Sequence, residues 1–119
     1  MDFKDNLPIY IQIMNYIKKE IVTKRIKEGE RLPSARELST TLTVNPNTIG
    51  RSYAELEREG LIFTQRGMGT FATEDIKLIQ GLKNDMADNL VSNFLKEMRS
   101  LDFTNSEIKE IIEKSIKED

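Results

Sequence analysis

The sequence predicts a mainly α fold with one small β-hairpin, and three features carry that expectation. From Pro8 to Gly60, apolar residues recur at helical spacing in three segments, each opening on its own start signal. Two short β-favouring runs, residues 61–65 and 70–73, then flank Arg66-Gly67-Met68-Gly69, whose glycines permit a tight turn. From about Glu74 the helical period returns and lasts nearly to the end of the chain.

The first helix is expected over residues 8–24. Ile9, Ile13, Ile17 and Ile21 recur every fourth residue, with Lys18, Lys19 and Glu20 on other faces, as in an amphipathic helix. Pro8 suits the first turn, where a missing N–H costs nothing. Residues 26–33 read as a connection, since Gly29 tolerates positive φ and Pro33 resists continuing a helix. Ser34-Ala35-Arg36-Glu37 is a capping box that opens a short second helix, with Leu38 and Leu42 turned inward. Asn45 is a suitable N-cap and Pro46 a suitable first residue for the third helix. There Ile49, Tyr53 and Leu56 form the apolar stripe and Gly60 the stop.

In the C-terminal part, Ile79, Leu82, Met86, Leu90, Phe94, Met98 and Leu101 follow three- and four-residue steps. Such a stripe is longer than a helix in a small globule needs for itself. Thr104-Asn105-Ser106-Glu107 is a second capping box, opening a last helix with Ile108, Ile111, Ile112 and Ile116 on one stripe. The two methionines, Met86 and Met98, read as packing rather than as a ligand pocket.

Composition narrows the chemistry. With 119 residues, the chain fits one compact domain or a small domain with an appendage. Cysteine and histidine are both absent, which removes thiolate and imidazole metal sites, disulfides and the usual neutral-pH proton shuttle. Neither a cofactor nor a catalytic constellation is expected. Glu55, Glu57 and Glu59 are spaced as a solvated helix face. No apolar run approaches membrane-spanning length and no basic segment precedes an apolar run at the N-terminus, so a cytoplasmic protein is expected. The net charge of -2 hides an asymmetry: residues 1–73 carry 11 Lys+Arg against 9 Asp+Glu, or +2, and residues 74–119 carry 7 against 11, or -4.

Helix, helix, helix, hairpin is the order of a winged helix-turn-helix. The stretch from Gly29 to Phe71 resembles the GntR family of bacterial transcription regulators. The likeness runs through Gly29-Glu30-Arg31-Leu32-Pro33-Ser34-Ala35-Arg36-Glu37-Leu38, Leu42-Thr43-Val44-Asn45-Pro46-Asn47-Thr48, Tyr53, Leu56-Glu57, Gly60-Leu61-Ile62 and Arg66-Gly67-Met68-Gly69-Thr70-Phe71. Pro8-Ile9-Tyr10-Ile11-Gln12-Ile13 is similar to the family's first helix. The Asn45-Pro46-Asn47-Thr48 tetrapeptide and the short two-helix C-terminal part resemble the YtrA-type branch; other branches carry a much larger effector domain. The resemblance implies a winged helix-turn-helix over residues 1–73, a helical dimerisation region over 74–119, and double-stranded DNA as partner, with repression favoured over activation.

Residue chemistry gives the same surface by a separate route. A helix fits the B-DNA major groove, and burying Ile49, Tyr53 and Leu56 would turn Asn47, Thr48 and Arg51 outward. Asn pairs bidentately with adenine and Arg with guanine, while Ser34 and Asn45 at helix starts can donate to phosphates. Arg66 beside Gly67 puts a long cation next to bare backbone at the hairpin tip, suited to a narrow minor groove or its phosphates. By resemblance, the contacts fall on Arg36, Asn45, Asn47, Thr48, Arg66 and Gly67. The chain departs from many relatives in having Gly50, followed by Arg51, where they carry a recognition-helix arginine. Either Arg51 takes over, or readout shifts toward Arg36 and Asn47.

Blander roles stand beside these. Asn45 could be a cap alone, Arg36 a surface cation beside Glu37 or Glu30, and Arg66 an exposed residue on an ordinary hairpin. A winged helix can also serve as a protein-interaction module without touching DNA. The apolar stripe through Leu82, Met86, Leu90, Phe94 and Met98, with Ile108 and Ile112, predicts a homodimer on a pseudo-palindromic operator. Any small-molecule effector is expected to lodge between the C-terminal helices or at the dimer junction.

Overall fold

The computed structural model describes residues 1–118. In chain order it contains α1 (Ile9–Val22), α2 (Ala35–Leu42), α3 (Pro46–Arg58), β1 (Ile62–Gln65), β2 (Gly69–Ala72), α4 (Ile76–Ser100) and α5 (Asn105–Glu118). The predicted winged helix-turn-helix is present. Two compact units divide the chain, Met1–Lys83 and Asn84–Asp119.

The first unit is built around α3. Ile49 and Leu56 have no exposed surface, and Ile13, Ile17 and Ile21 of α1, Leu38 and Leu42 of α2, and Leu61 and Ile62 close over them. The stripe through α1 is displaced from its expected start: Ile13, Ile17 and Ile21 are buried, but Ile9 is 45% exposed. Gln12 takes the inner place in that turn instead. Its carboxamide donates to the carbonyls of Lys4 and Leu7 and accepts from the Lys4 N–H, binding the N-terminal segment to α1. Among α3's other inward residues, Ser52 donates its hydroxyl to the Tyr10 carbonyl at 2.8 Å, and Tyr53 donates to the Pro33 carbonyl at 2.6 Å. These bonds tie the third helix to α1 and to the entrance of α2.

The two strands pair antiparallel, Ile62 opposite Ala72 and Gln65 opposite Gly69. The segment expected to be only a connection joins this sheet. Arg31 bridges Phe71, the Leu32 N–H donates to Thr70 at 2.7 Å, and the Ala72 N–H donates to Glu30 at 2.9 Å. Gly29, at φ 74, turns the chain into this pairing.

The first compact unit runs on into α4. Ile79 is buried in the same core and Leu78 and Leu82 pack against it, so the opening turns of α4 belong to the N-terminal unit. Leu82, assigned from the sequence to a dimer stripe, is partly covered by its own chain for this reason.

In the second unit α5 opens as expected: Thr104 Oγ1 accepts from the Glu107 N–H, and the Glu107 carboxylate accepts from the Thr104 N–H. Ile108 is 2% exposed, so the chain covers it without a partner. Met86 and Met98 are half-buried, whereas Leu90, Phe94 and Ile112 are exposed. No helix among the described residues is long and apolar enough to cross a membrane.

Candidate nucleic-acid interface

Each proposed contact sits where a local device fixes the backbone. Ser34 caps α2, its Oγ accepting from the Glu37 N–H at 3.1 Å while its own N–H donates to the Glu37 carboxylate at 2.9 Å. The box consumes the Ser34 backbone donor, leaving the hydroxyl hydrogen as the group able to reach a phosphate. The Ser34 backbone N–H, and after it the Ser34 hydroxyl, hold the Glu37 carboxyl below its ordinary pKa. Arg36 stands exposed in the first turn of the same helix. The acidic neighbours that might have claimed it are occupied: Glu37 by the cap, and Glu30 by the Lys27 N–H at 3.0 Å. Among the described residues, no ion pair involves Arg36, Arg51 or Arg66.

On α3, Asn45 Oδ1 accepts from the Asn47 N–H at 2.8 Å and caps the helix, leaving the Asn45 amide NH₂ to donate outward. With Ile49, Ser52 and Leu56 buried, the opposite side carries Asn47, Thr48 and Arg51. These three line one open cleft with Pro8, Ile9 and Tyr10. The Arg51 guanidinium carbon lies 3.7 Å from the centre of the Tyr10 ring. That stacking restricts a long side chain to few orientations and keeps its outer edge available. Burial pushes the Tyr53 hydroxyl up to about 12, and the Glu37 charge adds to the rise, so Tyr53 remains a neutral donor to Pro33.

In the wing, Gly67 and Gly69 adopt φ of 79° and 123°, conformations that a side chain would strain. Phe63 and Phe71 stack across the strands with centroids 5.7 Å apart. Arg66 is exposed at the tip. A second cation was missed: Arg31 lies across Gly69, its Nε 2.6 Å from where a Cβ would stand. No local period announces it, because its position follows from pairing with Phe71. Tyr10 was also missed; its ring matters only once Ser52 has drawn the start of α1 onto α3.

The structure thus gathers Asn47, Thr48 and Arg51 in one cleft, while Arg36 and Arg66 stand outside it on α2 and at the hairpin tip. A family model described as bacterial regulatory proteins, gntR family, matches residues 9–72. The chain belongs to the GntR family. This GntR regulator is 40% identical over 108 residues to the HTH-type transcriptional regulator YhcF of Bacillus subtilis, spanning 91% of this chain and 89% of YhcF. It is 45% identical over 83 residues to the HTH-type transcriptional repressor YtrA of the same organism, spanning 68% of this chain and 64% of YtrA. Among solved structures, a GntR family transcriptional regulator from Listeria monocytogenes superposes with a TM-score of 0.87 at 47% identity, covering 94% of this chain and 98% of that one. The DNA-binding domain of AraR, solved in complex with an operator, superposes with a TM-score of 0.56 at 27% identity, covering 61% of this chain and 88% of that domain. The N-terminal unit is therefore the DNA-binding domain of a transcription regulator, and the YtrA-type resemblance has a counterpart among its relatives. The protein is not an enzyme.

Proposed function

We propose that the protein represses transcription by binding a pseudo-palindromic operator as a homodimer, reading each half-site with α3. The observation that carries this reading is the cleft on α3. Two bidentate-capable side chains, Asn47 and Arg51, share one solvent-facing surface while the opposite face of the helix is sealed in the core. Asn47, Thr48 and Arg51 then face base edges, and Ser34, Arg36 and Asn45 face phosphates from the two helix starts. Arg66 and Gly67 bring the wing to the backbone or minor groove. Support for DNA as partner comes from the AraR domain's structure with its operator, and for repression from the name of the YtrA relative.

Dimerisation would use Met86, Leu90, Phe94, Met98 and Ile112, with Leu82 and Ile108 supporting them from within the protomer. An effector has a candidate place in the cleft of about 240 Å3 lined by Leu95, Arg99, Ile108 and Ile112 in the second unit.

The test is a gel-shift series on an operator selected from random duplex by the purified protein. Asn47→Ala should weaken operator binding by ~1–3 kcal/mol without changing the melting temperature. Arg36→Ala should weaken operator and random duplex alike and lower the salt slope by about one. Unchanged affinity in both variants, or binding to generic duplex that ignores salt, would favour a protein-interaction module instead.

A further inference from the structure

On the inner side of the DNA-binding unit lies a second cavity, of about 250 Å3, bounded by α1, the turn after it, and the starts of α2 and α3's inward face. Its walls are apolar where Ile17, Ile26, Leu32 and Leu38 meet, and Tyr16 and Tyr53 stand at its sides. One group is out of place there. Glu20 Oε2 is buried and has no hydrogen-bond partner among the described residues. Arg25 also lines the cavity, and its Nη1 makes a long ion pair with this oxygen at 3.9 Å, outside hydrogen-bond reach, while the Arg25 side chain is 66% exposed.

A buried carboxylate oxygen without a donor is costly, and such groups are rare in folded proteins. Helix α1 does not need one at this position for packing, since Ile13, Ile17 and Ile21 already supply its core face. A concave apolar site with a few convergent polar groups is the usual form of a small-molecule site. We propose that this cavity binds a small organic monocation, an amine or amidinium on a compact apolar body, with Glu20 Oε2 as the acceptor. An anion would be repelled by Glu20, and a hydrocarbon would leave the oxygen unpaired. The Tyr16 hydroxyl, whose pKa is raised by burial and then by the charge of the Glu20 carboxylate and a side-chain hydrogen bond to it, stays protonated, and its oxygen can accept from a second N–H of the ligand. At this volume the site falls below the ~300–1,000 Å3 of drug-sized pockets, which sets the ligand near the size of benzamidinium. The inference rests on the cavity and its orphan oxygen, not on the DNA-binding role. It places a ligand against Leu38 of α2 and Tyr53 of α3.

Benzamidinium and its neutral isostere benzamide separate charge from shape. At about 10 mM and matched ionic strength, benzamidinium should raise the melting temperature of the full chain by about 2–4 °C while benzamide leaves it unchanged. Glu20→Gln should abolish the benzamidinium shift. Equal shifts from both compounds, or a shift that survives Glu20→Gln, would overturn the proposal. If the variant fails to fold, the comparison of the two compounds on the wild-type chain still decides. Arg25→Ala adds a further check: a shift seen only in that variant would mean that Arg25 itself fills the site, which also overturns the proposal.

Discussion

Gly50 poses the sharpest question at the scale of a residue. It lies in the interior of α3, is exposed, and a Cβ added there would meet nothing within 4 Å. A glycine in a helix interior costs roughly 0.5–1 kcal/mol against alanine, and the free chain shows no steric reason to accept that cost. The position where many relatives carry an arginine is therefore open, and a small side chain there has room on the DNA-facing side as well. Gly50→Ala should raise the melting temperature by about 3–5 °C, because the helix gains propensity and nothing clashes. Operator affinity in a gel shift should stay within about 3-fold of the wild type, and a larger loss would mean that DNA meets the bare backbone at Gly50. The departure at Gly50 was visible in the sequence; whether Arg51 was available was not, because its guanidinium position depends on Tyr10, forty-one residues earlier in the chain.

Among the elements, what could be read from sequence is what is decided locally. Ser34, Asn45 and Thr104 each place a side-chain oxygen before helical amides, and all three caps are formed. The hairpin was equally legible, since Gly67 and Gly69 supply the φ values its turn needs. What escaped is decided at a distance. The Arg31–Phe71 bridge joins segments forty residues apart, and the burial of Leu78, Ile79 and Leu82 extends the first unit into α4 although the period of that helix is unbroken. The capping boxes carry a pH signature of their own. Hydrogen bonds from Ser34 and Thr104 hold Glu37 and Glu107 below the ordinary 4.5. A depressed folded-state pKa means the stabilisation is fully present above the unfolded value and is lost as the pH falls through the folded one. Melting followed by circular dichroism should therefore show stability declining below pH 4.5, and Glu37→Gln should flatten part of that decline. An identical slope in the variant would mean that other carboxylates govern the acid limb.

At the scale of the molecule, the two units differ in how far each can stand alone. Met1–Lys83 closes a core around Ile49 and Leu56, whereas Ile108 is the only buried residue among the described residues of Asn84–Asp119. Segments below ≈ 40 residues seldom fold without a disulfide, a metal or a partner, and the absence of cysteine removes the first of these. Yet this unit leaves Leu90 71% exposed, along with Phe94 and Ile112. Such a surface is what a second copy would cover. Phe94→Asp should therefore convert the protein from dimer to monomer in sedimentation experiments at about 10 μM, since it buries an unpaired charge in the proposed interface. Helical signal from the second unit should fall with it, while the melting transition of the first unit persists, because none of its core residues is touched. Operator binding should weaken by at least ~100-fold, because two linked half-site contacts become one. A Phe94→Asp protein that remains dimeric would place the interface on another face, and a wild-type chain that sediments as a monomer while binding its operator with full affinity would remove the two-fold reading altogether.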